Sequence, residues 1–371
     1  MITNPRSILL IGYDSNIALG VLACLRDQGF RFYLLSHNKK NAARYSRYIK
    51  KIFYYNAEND SLKDRIIQIV TEYNIEFIMP YDELEIREVT IHQRELSKYA
   101  PCVLGTDAAH FDIGIHKLNL ARFLTEKGIP CPPFATLGNK DEQESLVNKV
   151  GFPLLLKPVR MASGRMIQKV YDQQSLNNIV VENQDNLANF LLQPFIIGND
   201  ITCNVICKDG EIICHTIQES PVKTGSNFSS NDTLCYHHDK EVISIVSRMM
   251  KALEWNGVAC IDMRRNAQTK QVYILEINGR FWASVLPSFV KAGVNFPLIL
   301  LKLSLGEKIE IPKFKPAIQV SFKEYFNSLI HFGKLKFSDT KYKSYLLDPI
   351  ARFFQMAGFV FFLFSNILTS Y

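Results

Sequence analysis

Two carboxylates and a carboxamide, Asp262, Glu276 and Asn278, carry the most pointed chemistry in this chain. They sit in Gly257–Arg280, which reads as two β-strands joined by a polar turn from Asn266 to Lys270. Side chains alternate along a strand, so Glu276 and Asn278 share a face, about 6.6 Å apart. A loop of Gln268, Thr269 and Lys270 would set Asp262 directly opposite Glu276, with Cβ atoms about 5 Å apart. A register slipped by two residues keeps all three on one face. Flanked by Ile261, Val272 and Ile274, such carboxylates repel each other and lose solvation. A divalent cation removes both penalties, and oxygen-only ligands suit magnesium or manganese. The alternative is a surface hairpin whose charges face water.

The elements that must position this hairpin are legible in part. Residues 8–12 are continuously apolar and read as a buried strand, followed by a helix over 16–28 and a strand over 32–35. Strand, helix and strand in so short a span make a βαβ unit and hence a parallel sheet. A helix over 61–73 and a strand over 76–79 extend it, and a short strand is expected at 101–105. The loop from Gly12 to Gly20 lacks the G-x-G-x-x-G spacing, so the case for a dinucleotide site there is weak. A helix over 117–127 stops at Gly128, and Pro130, Pro132 and Pro133 mark a linker or domain edge. Strands follow at 152–157 and 191–195, then a hairpin of 200–207 with 211–218 over Lys208–Gly210. An amphipathic helix over 242–253 leads into the carboxylate hairpin. No internal repeat is visible.

The chain has 371 residues, 47% hydrophobic and 21% charged, which excludes a disordered protein and gives room for two or three domains. A net charge of +7 without a basic stripe interleaved with aromatics does not argue for nucleic acid. The basic excess is partly local, since residues 301–352 hold ten Lys or Arg against five acidic residues. The eight cysteines include no C-x-x-C pair, so Cys203, Cys207 and Cys214 beside His215, His237 and His238 make a poor zinc set. Scattered thiols fit a reducing cytosol. The apolar run Ser7–Gly12 is too short for a signal-peptide core and reads as a first strand.

Four more segments carry candidate chemistry. Lys117 enters a helix, and Lys157 ends a strand just before Pro158; a lone lysine there is commonly a solvated strand end. Residues 160–165 form a small-residue loop containing Ser163 and Gly164. Gln193, Pro194, Ile196 and Asp200 span a strand-to-turn junction, whose plainest account is Gly198 in a left-handed conformation. Arg280 follows the hairpin. In this order the segments resemble the ATP-grasp superfamily, in particular its carboxylate–amine ligase branch, of which the carbamoyl-phosphate-synthase large chain is one form. The resemblance covers roughly residues 7 to 310.

The resemblance implies a βαβ domain over 1–108 and a two-lobed ATP-grasp α+β domain over 109–310. The small lobe would span about 130–195 and the large lobe about 196–310, with a basic segment and apolar helix over 311–371. It implies that Lys117 and Lys157 hold the ATP phosphates, where compact ammonium groups offset triphosphate charge. Ser163 and Gly164 would close over the phosphates. The Pro194 carbonyl and the Ile196 N–H would grip adenine, next to Gln193 where relatives often carry an acid. Proline loses its N–H and keeps its carbonyl, so the acceptor survives. Asp200 would accept from the ribose. Asp262, Glu276 and Asn278 would be the magnesium ligands, and Arg280 would contact the γ-phosphate or an acyl phosphate. Gly279 stands where proline is commoner. The implied partners are a small-molecule carboxylate and an amine; a kinase or carboxylase on the same scaffold, or an inactive nucleotide-binding protein at a membrane, are the alternatives. Tyr81, Asp82, Glu83 and Lys223 are candidates for substrate contact, each equally readable as solvated loop.

The run from Phe353 to Thr369 is apolar and preceded by Lys341, Lys343 and Arg352. It can be a packed C-terminal helix, a helix lying in a membrane surface, or, at the lower length limit, a span. The expected location is cytoplasmic, with the membrane's inner face as a peripheral site.

Overall fold

The computed structural model describes residues 6–160, 166–220, 233–330, 333, 335–340 and 342–357. It is a mixed α/β structure of two compact units. The first comprises Met1–Ala108, Asn256–Val258 and Arg280–Tyr371, and the second Ala109–Trp255 and Ala259–Gly279. The chain from Arg280 onward therefore groups with the N-terminal sheet, where the sequence suggested a block running to residue 310 and a separate tail.

In the first unit, β1 (Ser7–Ile11), β2 (Arg31–Ser36), β3 (Ile49–Tyr54) and β4 (Phe77–Pro80) form a parallel sheet in the order β3-β2-β1-β4. Every residue of β1 is buried, as a strand covered on both faces must be, which is why it reads as an unbroken apolar run. Helix α1 (Ser15–Leu25) is buried from Ile17 onward and capped by Asp14, which accepts from Asn16 N and Ile17 N. The other early helices are α2 (Leu62–Tyr73), α3 (Glu83–Ile91) and α4 (Gln93–Leu96). The expected strand at 101–105 is only an isolated bridge from Cys102 to Ile78.

Tyr81 and Asp82 are fully buried, so they are not the solvated turn that was one reading of Tyr81–Glu83. Asp82 precedes α3 without capping it; its Oδ2 instead accepts from Tyr13 N (2.7 Å) and Asp14 N (2.8 Å) across the sheet end. Burial pushes its carboxyl up to about 7, against those two N–H donors. The backbone donors that a phosphate would need after β1 are thus taken by the chain's own carboxylates, Asp14 and Asp82. Gly12 lets the loop pass the Tyr81 ring, which a Cβ would meet at 2.5 Å.

The second unit opens with α5 (Ala108–Ile115) and α6 (Lys117–Glu126). A small antiparallel sheet follows, built from β5 (Ala135–Thr136), β6 (Leu154–Pro158), β7 (Gln168–Val170) and β8 (Phe190–Pro194) in the order β5-β8-β6-β7. Helices α7 (Lys140–Val150) and α8 (Gln173–Glu182) cover it. Leu154, Leu156 and Leu192 point into its core with Leu146, Val170 and Leu176. By the two-residue period, Lys157 and Gln193 then face the opposite side. A larger sheet takes β9 (Gly198–Lys208), β10 (Glu211–Glu219), β11 (Leu234–Tyr236), β12 (Gly257–Asn266) and β13 (Val272–Asn278), in the order β13-β12-β9-β10-β11. Helix α9 (Lys240–Ala252) turns Val242, Val246 and Met249 inward and starts at the Asp239 cap.

The chain then returns to the first unit with α10 (Val285–Val290) and α11 (Phe296–Ser304), both in contact with α1. Asn295 Nδ2 donates to the Cys24 carbonyl at 2.8 Å. The short β14 (Ala317–Gln319), α12 (Phe322–Ile330) and α13 (Tyr342–Tyr345) precede a helix over 349–357, the last among the described residues. Arg352, expected to face solvent or lipid, is buried in that helix. Ser163, Gly164, Lys223, Lys341 and residues 358–371 lie outside the described residues, as does the side chain of Lys343.

Candidate active site

The hairpin sets Asp262 opposite Glu276 and Cys260 opposite Asn278. It reaches that pairing by a different route from the simple three-residue loop. Next to the turn, Arg265 pairs with Val272 and Met263 with Ile274, a register that would put Asp262 opposite Leu275. The ladder shifts between Met263 and Asp262, so Leu275 is bulged out and Glu276 arrives beside Asp262. The turn itself spans 267–270, closed by Asn266 N to the Gln271 carbonyl at 2.9 Å and by Lys270 N to the Asn266 carbonyl at 3.0 Å.

Asp262 is held from two sides. Asn278 Nδ2 donates to its Oδ2 at 3.2 Å, and Thr202 Oγ1, from neighbouring β9, donates to its Oδ1 at 3.1 Å. Glu276 Oε2 lies 2.7 Å from Lys117 Nζ. That lysine opens α6, whose N-cap His116 accepts from Asn119 N and whose first N–H donates to the Val159 carbonyl at 3.0 Å. Lys157 is buried, and its Nζ donates to Gln193 Oε1 at 2.9 Å.

Charges here are mutually adjusted. Burial works to raise the Glu276 carboxyl, but the Lys117 ammonium, the hydrogen bonds of Lys117 and Asp262, and the Lys157 charge outweigh it and hold the group below its usual range. Burial pulls the Lys157 ammonium down to about 8, with Lys117 and Arg264 adding to the fall and Glu276 and Asp200 opposing it. Buried and bonded to Gln193, Lys157 is not a solvated strand end.

The strand-to-turn junction runs from Pro194 at the end of β8 to Gly198 at the start of β9. Asp200 is mostly exposed, with Oδ1 3.4 Å from an Arg264 guanidinium nitrogen. Arg264 also donates to the Gly198 carbonyl at 3.3 Å and lies 5.2 Å from the Phe195 ring centre, while Lys169 Nζ lies 4.7 Å from it. Gly198 is not left-handed. It is required because a Cβ would stand 1.8 Å from the Arg265 carbonyl oxygen. Gly198→Ala must force β9 from β12, costing roughly 1–3 kcal/mol by the usual cost of overpacking. Urea denaturation of this variant should show a lowered midpoint with an unchanged slope.

The structure therefore gathers Lys117, Lys157, Gln193, Asp262, Glu276 and Asn278, with Pro194, Ile196 and Asp200 on the adjoining junction. Arg280 is grouped with the first unit and donates to the Phe281 carbonyl at 2.8 Å. Thr202 and Arg264 were not singled out from sequence. Their signal was alternation, two residues on from Asp200 along β9 and from Asp262 along β12.

Residues 115–284 match a family model described as ATP-grasp domain. The carbamoyl phosphate synthase large chain of Archaeoglobus fulgidus is 26% identical over 253 residues, 65% of this chain and 23% of that protein. The C-terminal section of the same large chain from Aquifex aeolicus is 27% identical over 228 residues, 58% of this chain and 41% of that protein. The chain thus spans less than half the length of these relatives. Among solved structures, N5-carboxyaminoimidazole synthetase from Staphylococcus aureus, complexed with ADP, is similar with a TM-score of 0.67 at 13% identity, covering 87% of this chain and 86% of that one. An L-amino acid ligase from Bacillus licheniformis matches with a TM-score of 0.62 at 16% identity, covering 82% and 75%. At such identities these two show a common fold.

Proposed function

We propose, from the ATP-grasp domain that this chain carries over residues 115–284, that the protein is an ATP-dependent carboxylate–amine ligase. The observation that carries this is the convergence of Lys117 on Glu276 at 2.7 Å, beside Asp262 and Asn278. A carboxylate pair left alone would be costly, and here a cation already offsets half of it. The donor set is two carboxylates and the Asn278 carboxamide, whose Nδ2 turns to Asp262 and leaves Oδ1 to ligate. These hard oxygen donors fit magnesium or manganese, leaving the remaining positions to phosphate and water. When bound, magnesium would neutralise β- and γ-phosphate charge.

The chain's own residues position the rest. Lys117 and Lys157 bring ammonium groups to the phosphates, Lys157 from a buried site where its charge is least screened. Pro194 and Ile196 offer the backbone acceptor and donor for adenine, with Gln193 beside them, and Ser163 and Gly164 are assigned to the phosphates. A substrate carboxylate oxygen attacks the γ-phosphorus, expelling ADP. The amine nitrogen then attacks the acyl phosphate carbonyl, releasing phosphate and one proton and leaving an amide. Arg280 is assigned to the acyl phosphate. No side chain acts as a covalent nucleophile.

ADP release over a panel of carboxylate and amine pairs tests this. Release that needs both partners supports a ligase. Release with a carboxylate alone, or only with bicarbonate, would replace the ligase with a kinase or a carboxylase, and tight ATP binding without release would mean an inactive binder. Asp200 is assigned to the ribose hydroxyls. Asp200→Ala should weaken ATP about tenfold, the low end for a charged hydrogen bond given its exposure. Equal affinity of the wild type for ATP and its 2′- and 3′-deoxy forms would remove Asp200 from that role.

The working location is cytoplasmic, at the inner face of a membrane. Among the described residues no helix is long and apolar enough to cross a membrane. The support for a peripheral site is the apolar surface of the last helix.

A further inference from the structure

The helix over 349–357 is built inside out. A surface helix normally buries its apolar stripe and exposes charge. Here Ala351 and Arg352 are buried at 0% and 5% exposure, while Ile350 and Phe353 stand 62% and 63% exposed and Met356 44%. Leu346, in the turn before the helix, is 68% exposed. Ile350 and Phe353, three apart on the helix, form a single outward stripe.

Polar contacts fix which side faces in. An Arg352 guanidinium nitrogen donates to Asn16 Oδ1 at 3.3 Å and to Gln355 Oε1 at 2.9 Å, and Gln355 Nε2 donates to the same Asn16 oxygen at 2.8 Å. The Arg352 guanidinium also covers the Tyr345 ring at 4.9 Å. Phe354 stacks on Tyr45 with ring centres 4.0 Å apart, and the Leu347 carbonyl accepts from Arg47 at 2.6 Å and from Tyr48 Oη at 3.2 Å. Rotating the helix to hide its stripe would break the Arg352 and Gln355 bonds to Asn16 and the Phe354–Tyr45 stack together.

We propose that this stripe, flanked by the basic loop before β3, is a docking face for an anionic lipid bilayer. Two further observations choose that occupant. Lys39, Lys40, Arg44 and Arg47 are all exposed, and Arg44 and Arg47 flank the very tyrosine that stacks on the helix. Past Ala357 the sequence continues Gly358 and then Phe359–Phe364, six apolar residues. An apolar stripe bordered by arginines suits the headgroup boundary of a bilayer. This deepens the peripheral location proposed above and corrects its chemistry: Arg352 and Arg47 hold the helix, and the lipid-facing charges are those of Lys39, Lys40 and Arg44.

The test is co-sedimentation of the full chain with phosphatidylglycerol–phosphatidylcholine vesicles, with sedimentation equilibrium and ADP release measured in parallel. Ile350→Ser and Phe353→Ser alter exposed side chains and should leave the fold intact. Each should lower vesicle partitioning about tenfold, by loss of most of one apolar side chain from lipid. Arg44→Glu should weaken binding and blunt its salt dependence. The proposal fails if the intact chain ignores anionic vesicles at low salt. It fails if both serine variants bind like wild type while a chain ending at Ala357 does not, because residues 358–371 then act alone. It fails also if the serine variants dissociate a dimer instead, which makes a second copy the occupant. ADP release is read without vesicles, so a failed ligase assignment appears there whatever the sedimentation shows.

Discussion

Glu276→Gln removes magnesium-dependent ADP release by a factor of about a thousand or more and, in the same protein, lowers the unfolding midpoint. The first effect follows from its proposed place as an anionic ligand where phosphoryl charge develops, since loss of one preorganised electrostatic contact commonly costs 10²–10³ in rate and a charged ligand more. The second follows from the ion pair. Two carboxylates alone would repel, and neutralising one would stabilise the apo protein. Here Lys117 already sits 2.7 Å from Glu276 and holds its carboxyl below the usual range. A depressed carboxylate adds stability above its unfolded pKa and loses it as pH falls through the folded one. The variant should therefore lose roughly 1–3 kcal/mol near neutral pH, the scale of a charged hydrogen bond, and part of its sensitivity to acid. Thermal melts from pH 3 to 8, beside an ADP assay with and without magnesium, check both halves. Near wild-type turnover would remove Glu276 from the site, and an unchanged or raised midpoint would mean that Lys117 does not pair with it in solution.

What could be read in advance divides along physical lines. Strands buried on both faces, such as β1, announce themselves by an unbroken apolar run, and β9, β10, β12 and β13 by turn residues between alternating stretches. The edge strand β3 was not legible, because its sequence Ile-Lys-Lys-Ile-Phe-Tyr exposes two lysines and buries mainly Phe53. Helices α7 and α8 were missed although Asn139 and Asp172 mark their starts by accepting from Glu142 N and Ser175 N. Each lays only a couple of side chains into the core, so the periodic signal is thin. At the site, residue types and order were readable, whereas the bulge at Leu275, the Thr202 hydroxyl on Asp262 and the Lys157–Gln193 bond were not. All three depend on which strand lies beside which, a long-range fact that local sequence does not carry. Arg352 shows the converse: its place beside an apolar run suggested a solvent or lipid contact, and its burial is decided by Asn16, far away in sequence.

ATP affinity should fall steeply above pH 8, by about tenfold per pH unit, and Lys157 should be the cause. Burial holds its ammonium at about 8, well under an ordinary lysine, with Gln193 as a direct acceptor. The free protein therefore loses this charge just above neutral pH. Triphosphate at its proposed place would restore it, so binding at pH 9 should draw in nearly one proton. The same shift has the opposite sign for folding. Between about 8 and the ordinary lysine range the unfolded chain binds more protons than the folded one, so stability rises with pH while ATP affinity drops. Lys157→Met should remove both trends, leaving a fold at least as stable at neutral pH, because a buried charge is gone, and weakening ATP by a hundredfold or so, as loss of a desolvated phosphate contact does. Calorimetric titration of ATP in two buffers of different ionisation enthalpy, from pH 7 to 9.5, counts the protons directly. Constant affinity across that range in the wild type, or proton uptake that persists in Lys157→Met, would place the titrating group elsewhere and take the buried lysine out of the phosphate site.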